Sequence, residues 1–201
     1  MSTALSQPSF EELYKALQEL PDDQRGEILA GELVVSPRPA SDHGVASTAI
    51  IGLLWPRFRG GGGGGNPGGW LILHEPELHL HVGGRTDVLS PDVAGWQHTT
   101  LPKFRRTRHV EQTPDWVCEV LSPSTIRRDQ KTKSRIYHDA GVRWLWLVDP
   151  VSRRLFAYRR EGAFWVWLGE WGGTDLARVE PFESVELDLA LWWDDMAPEE
   201  P

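Results

Sequence analysis

The 201-residue chain is poor in cysteine and has no long apolar segment. It contains a single cysteine, Cys118, so it cannot form an intramolecular disulfide or build a zinc site from a cysteine cluster. No apolar run approaches the roughly 20 residues that a membrane-spanning helix needs. Residues 1–12 have neither the basic segment nor the apolar core of a secretory signal. These absences predict a cytoplasmic protein without a membrane segment.

An overall excess of positive charge is also missing, because the formal net charge is −8 at pH 7. This argues against a polybasic, histone-like coat protein. It does not exclude a nuclease, since a metal ion can supply positive charge at a carboxylate site. The charge is uneven: residues 99–160 contain 14 Lys and Arg against 6 Asp and Glu, a local excess of +8. Such a segment is either a solvated face or a surface that contacts phosphates.

The chain lacks internal repeats and a phosphate-binding glycine motif. Its glycine-rich segment, residues 60–69, has no GxxxxGK[ST] pattern, so we predict a flexible loop there. Hydrophobic residues make up 40% of the 201 positions, which is enough for one core. We therefore expect a single domain over residues 1–201, with a frayed acidic tail at residues 194–201.

Apolar residues at helical spacing predict three helices. The first two are residues 9–20 and residues 41–58. Ser9 and Glu12 have the spacing of a capping box at the start of the first helix. The third helix is expected from Ser124 or Thr125 to about residue 140, because a proline precedes it and a glycine follows it.

Two short apolar runs at residues 26–35 predict a β-hairpin. The turn is expected at Ala30-Gly31, which pairs residue 29 with residue 32 and residue 27 with residue 34. On that register Glu27 and Glu32 share one face. The two carboxylates are either solvated edge charges or functional groups.

Alternating and continuous apolar runs predict the remaining strands. They lie at residues 70–82 with a break at Pro76, 91–96, 115–121, 144–148, 155–159, 164–168 and 184–189. His79 and His81 would project from one face, a spacing compatible with a metal. A solvent-facing pair is favoured, because no third ligand is evident. The order of elements predicts a mixed α/β or α+β domain built around one sheet.

The most informative single residue is an acid in the middle of an apolar strand. Glu119 lies between two apolar residues, where a carboxylate is costly to bury unless it is paired or binds a cation. If neighbouring strands bring Asp92 beside Glu119, a divalent cation relieves the repulsion between them. Mg²⁺, with Mn²⁺ as a substitute, suits such hard oxygen ligands and can activate water toward a phosphodiester. The alternative is an ion pair between Glu119 and an arginine of the following helix.

An ordered series of short motifs extends across most of the chain. It comprises EILAGELV (27–34), Ser36-Pro37, His43, PDV (91–93), PDWVCEVLSPST (114–125), Asp129, Lys133, Tyr137 and WLVDP (146–150). Over about residues 10–190 this series resembles the Uma-type family of restriction endonucleases, in the PD-(D/E)XK nuclease superfamily. The resemblance implies a restriction-endonuclease-like core, in which helices flank a central mixed β-sheet and β-hairpins are added.

The resemblance also implies a catalytic site. Asp92 matches the aspartate of the PD element, and Glu119 matches the acidic residue of the (D/E)XK element. These two would hold Mg²⁺. The lysine expected two residues after Glu119 is replaced by Leu121, and the family's lysine falls in the next helix at Lys133.

Further residues are expected to support this set. Glu27 is implied as another ligand or as a group that orients water, with Glu32 as its alternative. The spacing of Asp129, Lys133 and Tyr137 puts them on one face of a helix. The weaker supporting candidates are Glu32, His43, Asp115, Ser122, Asp129, Lys131 and Tyr137. Contacts with nucleic acid are expected from Arg127, Arg128, Lys131 and Arg135.

The leading hypothesis is a Mg²⁺-dependent endonuclease that hydrolyses DNA. A homodimer suits the cutting of two strands. One alternative is a catalytically decayed module of the same fold that binds nucleic acid or assembles with proteins. Another is a protein-interaction domain with exposed tryptophans within residues 165–193, although core packing is the preferred interpretation of these. Under the leading hypothesis, the basic segment faces phosphates.

Overall fold

The computed structural model describes residues 8–37, 41–101, 107–122 and 129–196. Within these ranges the α-helices are α1 (Phe10–Gln18), α2 (Ser41–Phe58) and α3 (Ser134–Ala140). The capping box predicted for α1 is present, since Ser9 Oγ accepts from the Glu12 N–H and Glu12 Oε2 accepts from the Ser9 N–H. None of the described helices is long and apolar enough to cross a membrane.

The third helix differs from its prediction in one respect. A π-helical turn (Asp129–Lys133) precedes α3, and residues 123–128 lie outside the described part of the chain. The four-residue α-helical spacing therefore does not apply between Asp129 and Lys133. It does apply between Lys133 and Tyr137, which lie one turn apart at the start of α3. Gly141 ends the helix in the left-handed conformation, with φ of 95°.

The described strands are β1 (Gln24–Leu29), β2 (Glu32–Pro37), β3 (Trp70–His74), β4 (Leu78–Val82), β5 (Arg85–Leu89), β6 (Val93–Gln97), β7 (Trp116–Val120), β8 (Trp144–Asp149), β9 (Arg154–Glu161), β10 (Phe164–Gly172), β11 (Leu176–Ala177) and β12 (Leu187–Asp188). The strand predicted at residues 184–189 is thus reduced to two residues, and a 3₁₀ helix (Leu189–Trp192) follows it.

A six-stranded mixed sheet forms the centre, in the order β10-β9-β8-β7-β6-β3. Its neighbouring strands pair antiparallel, except that β7 and β8 are parallel and are joined by the crossover that contains α3. Both faces are covered. Trp116, Cys118 and Val120 of β7 pack in the core beside α2, whereas Val117 belongs to the core beside α3. The central mixed sheet flanked by helices agrees with the expected fold.

Four strands lie outside the central sheet and form a sheet of their own. A second, four-stranded sheet has the order β2-β1-β5-β4. Strand β5 was not predicted, because its sequence, RTDVL, has no clear apolar alternation. The signal that was available is Gly83-Gly84, which joins β4 to β5 with φ of 58° and 82°. Two glycines with positive φ are typical of a tight hairpin turn.

The first hairpin has the register predicted for it. Glu27 pairs with Val34 and Leu29 pairs with Glu32, around a turn at Ala30-Gly31. Both turn residues have positive φ, 55° and 84°, as this turn type requires. Strand β1 also pairs with β5 through Ile28 and Val88, which fixes the hairpin against the rest of the second sheet.

The glycine-rich loop that follows α2 is folded back on itself. The Gly68 N–H donates to the Arg57 carbonyl, and the Gly69 N–H donates to the Gly60 carbonyl. A Cβ added at Gly68 would lie 2.0 Å from Gly62 N, so only glycine permits this approach. Of the acidic tail, residues 194–196 are described, and Met196 packs against the core beside α2.

Candidate active site

The candidate site is a small cleft where the two sheets meet. The chain leaves the second sheet at the end of β5 and enters the central sheet at Val93, so Asp92 lies on the connection. Val93 pairs with Cys118 in the antiparallel register of β6 and β7. Continuing that register by one residue puts Asp92 opposite Glu119, on the same side of the sheet. Their expected proximity follows from this pairing.

The cleft encloses a cavity of about 30 Å³, which is enough for an ion or water but not for a nucleotide. Most of its charged lining is buried. The lining includes Arg25, Glu27, His43, Asp92, Glu119, Ser122 and Lys133. The predicted residues Glu27, Asp92, Glu119 and Lys133 are therefore brought together, although they come from two strands, a connection and a helical turn.

Asp92 is held by three donors. Its Oδ2 accepts the Val120 N–H at 2.6 Å and lies 3.2 Å from His43 Nε2, while its Oδ1 lies 3.5 Å from Arg25 Nη1. Burial alone would raise the pKa of Asp92. The hydrogen bond and charge of His43, together with the charges of Arg25 and Lys133, outweigh burial and hold the pKa below its ordinary value. Asp92 is thus an ionised carboxylate in a nearly closed site.

Lys133 joins the two glutamates of the site. Its Nζ lies 2.7 Å from Glu119 Oε1 and 3.0 Å from Glu27 Oε1. The Tyr137 hydroxyl donates to Glu119 Oε1, and the Ser90 N–H donates to Glu27 Oε1 at 3.0 Å. Lys133 is only 4% exposed, so this ion pair is shielded from water. Glu119 thus has a buried cationic partner, the lysine of the π-helical turn, which offsets the cost of burying its charge.

Arg25 is a site residue that the sequence did not reveal. Besides its contact with Asp92, its Nη1 donates to Glu75 Oε1 at 3.2 Å and its Nη2 donates to the Ser90 carbonyl. Burial alone would lower the pKa of Arg25, but the surrounding carboxylates, Asp92 first, raise it. No local pattern marks Arg25, because its position depends on the pairing of β1 with β5.

The neighbouring thiol is not available for chemistry. Cys118 is fully buried, and its pKa is raised well above the ordinary value. Burial is the main cause, and the charges of Asp92 and Glu119 add to it. The reactive form of a cysteine is the thiolate, so Cys118 is a packing residue.

Two predicted supporting residues lie outside the cleft lining. Glu32 is exposed on β2, so the hairpin brings Glu27 rather than Glu32 to the site. Asp115 is buried at the far end of β7, where it accepts from the Gln97 N–H at 2.8 Å and from Thr100 Oγ1 at 3.2 Å. Asp115 therefore ties β7 to the end of β6. By contrast, Ser122 and His43 do line the cleft.

The basic residues expected to contact nucleic acid are only partly described. Lys131 and Arg135 are exposed on either side of Lys133. Arg135 Nε lies 3.6 Å from Asp139 Oδ2, one helical turn along α3. Arg127 and Arg128 lie outside the described residues, and of Asp129 only the backbone, in the π-helical turn, is described.

The donor chemistry of the cleft fits a hard divalent cation. Asp92 and Glu119 present buried carboxylate oxygens, the ligand type that Mg²⁺ prefers. Two carboxylates are enough when water completes the coordination, as is usual for Mg²⁺. In the described part of the chain, the set of three His or acidic donor atoms within 4.8 Å of one another lies elsewhere, at Glu77, His79 and His109. An ion in the cleft would therefore rely on few protein ligands.

Comparison with known proteins identifies a family and solved structures of similar fold. A family model described as "Uma2: Putative restriction endonuclease" matches residues 10–191. A solved structure from Anabaena variabilis ATCC 29413, described as a "putative nuclease belonging to DUF820", is similar with a TM-score of 0.65 and 18% identity. The alignment covers 90% of this chain and 97% of that chain, and at this identity it establishes a shared fold. No curated protein matches the chain.

Proposed function

Because the chain belongs to the Uma2 restriction endonuclease family, we propose that it is a metal-dependent endonuclease that hydrolyses DNA phosphodiester bonds. Family membership supports nuclease activity in general. The observation that carries the finer proposal is the pair of buried carboxylates beside a buried lysine: Asp92 just before β6, and Glu119 on the neighbouring strand β7. This combination of acids and a cation suits phosphoryl transfer, in which charge on the phosphate must be stabilised.

We propose that Asp92 and Glu119 hold Mg²⁺, with Mn²⁺ as a substitute. Such an ion supplies an activated water molecule and positive charge at the phosphate. The chain's own residues orient the two ligands. The Val120 N–H and His43 fix the Asp92 carboxylate, and the Tyr137 hydroxyl fixes one oxygen of Glu119. His43, Arg25 and Tyr137 are thus positioning residues.

In this proposal Lys133 is the catalytic cation. Its ammonium is compact, carries three donors and lies at the oxygen of Glu119, so it can donate to the attacking water or to a phosphate oxygen. Glu27 holds Lys133 from the other side, and the Ser90 N–H holds Glu27. The lysine thus reaches the site from a helix rather than from the strand that carries Glu119.

The substrate is proposed to be DNA, approached over the basic segment. Lys131 and Arg135 are exposed beside Lys133, and with Arg127 and Arg128 they would contact phosphates rather than bases. A twofold pair of chains would bring one cleft to each strand of a duplex. We further propose a single domain over residues 1–201, since both cores pack on the same central sheet. A reducing compartment, such as the cytoplasm, suits a lone buried cysteine.

Cleavage of DNA by the purified chain tests the proposal. Supercoiled plasmid and short duplexes are incubated with MgCl₂, with MnCl₂ and with EDTA. We expect nicking or cutting that needs the metal and falls at least 100-fold in Asp92→Asn, Glu119→Gln and Lys133→Met. Glu27→Gln should also reduce the rate, whereas Glu32→Gln on the neighbouring strand should not.

Three results would each contradict a different part of the proposed function. Cleavage that persists in Asp92→Asn and Glu119→Gln would place the chemistry elsewhere. DNA binding that depends on salt and survives Asp92→Asn, without cleavage under any metal, would indicate the catalytically decayed alternative. Absence of both binding and cleavage would contradict the proposed substrate.

A further inference from the structure

A second cluster of possible metal ligands lies outside the cleft, at the edge of the four-stranded sheet. Leu78 of β4 forms a parallel bridge with Val110. The His79 N–H donates to the Val110 carbonyl at 2.9 Å, and the Val110 N–H donates to the Glu77 carbonyl at 2.8 Å. Since side chains alternate along paired strands, Glu77, His79 and His109 project to the side opposite the buried Leu78 and Val110.

These three side chains meet closely. One donor atom from each of Glu77, His79 and His109 lies within 4.8 Å of the others. Glu77 Oε1 lies 2.8 Å from His79 Nε2. Sequence spacing suggested only a solvent-facing pair, His79 and His81. The structure instead buries His79 to 6% exposure and brings His109 beside it from a segment 30 residues away.

The cluster is supported from α1. The ring of Tyr14 packs edge-on against His79 with 5.1 Å between centroids, and the Tyr14 hydroxyl donates to Glu77 Oε1 at 2.8 Å. The Tyr14 hydroxyl thus fixes the orientation of the Glu77 carboxylate, as is common for metal ligands.

We propose that Glu77, His79 and His109 form a binding site for a divalent transition metal ion, with Zn²⁺ as the best match. Two imidazoles and one carboxylate are a ligand set that zinc uses, with a fourth position open to water or another side chain. Imidazole also favours zinc over Mg²⁺, which prefers all-oxygen sites. Glu111 is a candidate fourth ligand, because its Oε1 lies 3.4 Å from His109 Nε2.

Binding requires a modest rearrangement. Ligand atoms of a tetrahedral zinc site lie about 3.4 Å apart, given bond lengths near 2.1 Å, so Glu77 and His79 must separate slightly. The rings of His79 and His109 stack with 3.7 Å between centroids and 9° between planes. A nitrogen lone pair lies in the plane of its ring, so one ring must turn to share an ion. His109 is the ring with room to turn, because its side chain is 30% exposed.

The ion would join three parts of the chain. It would connect β4 to the segment around Val110 directly and to α1 through Tyr14. Its role is therefore structural, and it is independent of the proposed nuclease chemistry in the cleft.

Zinc titration of the metal-stripped full-length chain tests this inference. Calorimetry is carried out with excess MgCl₂, so that Mg²⁺ competes for the oxygen ligands of the cleft. Co²⁺ is titrated in parallel, because its visible absorption reports tetrahedral nitrogen and oxygen coordination. The variants are His109→Ala and Glu77→Gln. The matched control is His81→Ala on the same strand, where the exposed ring contacts Thr86 instead of the cluster.

We expect one Zn²⁺ per chain, a thermal unfolding midpoint that rises with zinc, and tetrahedral Co²⁺ absorption. His109→Ala and Glu77→Gln should each weaken zinc binding by at least about 10-fold. Mutation of a residue that only hydrogen-bonds to a metal ligand typically reduces metal affinity by that factor. His81→Ala and Glu119→Gln should bind as the unaltered chain does. Absence of stoichiometric zinc binding would overturn the inference. So would binding that survives in both His109→Ala and Glu77→Gln, or binding that is lost in Glu119→Gln.

Discussion

The buried lysine between two glutamates is the group whose removal should have the clearest energetic signature. Lys133 Nζ lies within 3.0 Å of both Glu119 Oε1 and Glu27 Oε1. The Lys133→Met substitution keeps most of the apolar volume of the side chain and removes the ammonium. Both carboxylates then remain in the cleft without that counter-charge.

Two estimates bound the free energy of unfolding that Lys133→Met should lose. Breaking a buried ion pair by removing one partner costs about 3–5 kcal/mol. The folded variant can avoid part of this if one carboxylate takes up a proton. For a glutamate of ordinary pKa, protonation at pH 7 costs about 3.7 kcal/mol, at 1.36 kcal/mol per pH unit. The hydrogen bonds from Ser90 and Tyr137 remain. We therefore expect Lys133→Met to lower the free energy of unfolding by about 2–4 kcal/mol at pH 7.

The loss should depend on pH in a definite direction. Between pH 5 and pH 7 the folded variant would hold a proton that the unfolded chain has already released, so its stability relative to the unaltered chain rises as pH falls. The difference between the two proteins should shrink by up to about 1.4 kcal/mol for each pH unit from pH 7 to pH 5. Urea-induced unfolding in metal-free buffer, measured at several pH values in that window, provides the free energies.

Two further variants make the result interpretable. Lys131→Met is the same substitution at an exposed position two residues earlier, and it should change the stability by less than about 0.5 kcal/mol. Adding Glu119→Gln to Lys133→Met removes one of the two carboxylates that lack a counter-charge. This double variant should recover part of the lost free energy of unfolding. A loss below about 1 kcal/mol at pH 7, or one that is independent of pH, would refute the reasoning that Lys133 compensates the buried carboxylates.

Two other predictions concern stability. Asp92 has a lowered pKa, so the stability it provides is present above the ordinary pKa of aspartate and is lost as pH falls through the folded-state value. The difference in unfolding free energy between the unaltered chain and Asp92→Asn should therefore shrink below about pH 4. A constant difference below that pH would contradict this. Gly68→Ala should destabilise by about 1–3 kcal/mol more than Gly64→Ala. Both glycines have positive φ, but only at Gly68 would a Cβ meet the backbone of Gly62. Equal thermal unfolding midpoints for these two variants would show that the close approach is not maintained.

Several features of this protein follow from local sequence. The capping box at Ser9 and the hairpin register at Ala30-Gly31 were predictable, because capping and tight turns involve only a few neighbouring residues. The importance of Glu119 was also predictable, since a carboxylate in an apolar strand needs a partner wherever the strand lies. The resemblance to the Uma-type family pointed to Asp92 and Lys133, and the structure brings both into the cleft with Glu119.

Other features depend on tertiary pairing. Strand β5 became visible only through its pairing with β4 and β1, and the second sheet that results carries Arg25 and Glu27 to the cleft. Glu27 and Glu32 share a face of one hairpin, so local pattern could not choose between them. The packing of that hairpin buries the first and exposes the second.

Tertiary pairing also explains two further features that the local sequence did not predict. Asp115 directly precedes β7, and it is four residues from Glu119 along the chain. Only Glu119 reaches the junction of the two sheets. His79 gains His109 as a neighbour through a single bridge between distant segments. Local sequence thus determined the elements and the residues that require a partner. The partners themselves were decided by which faces of the two sheets are buried together, because that choice joins residues far apart in the chain.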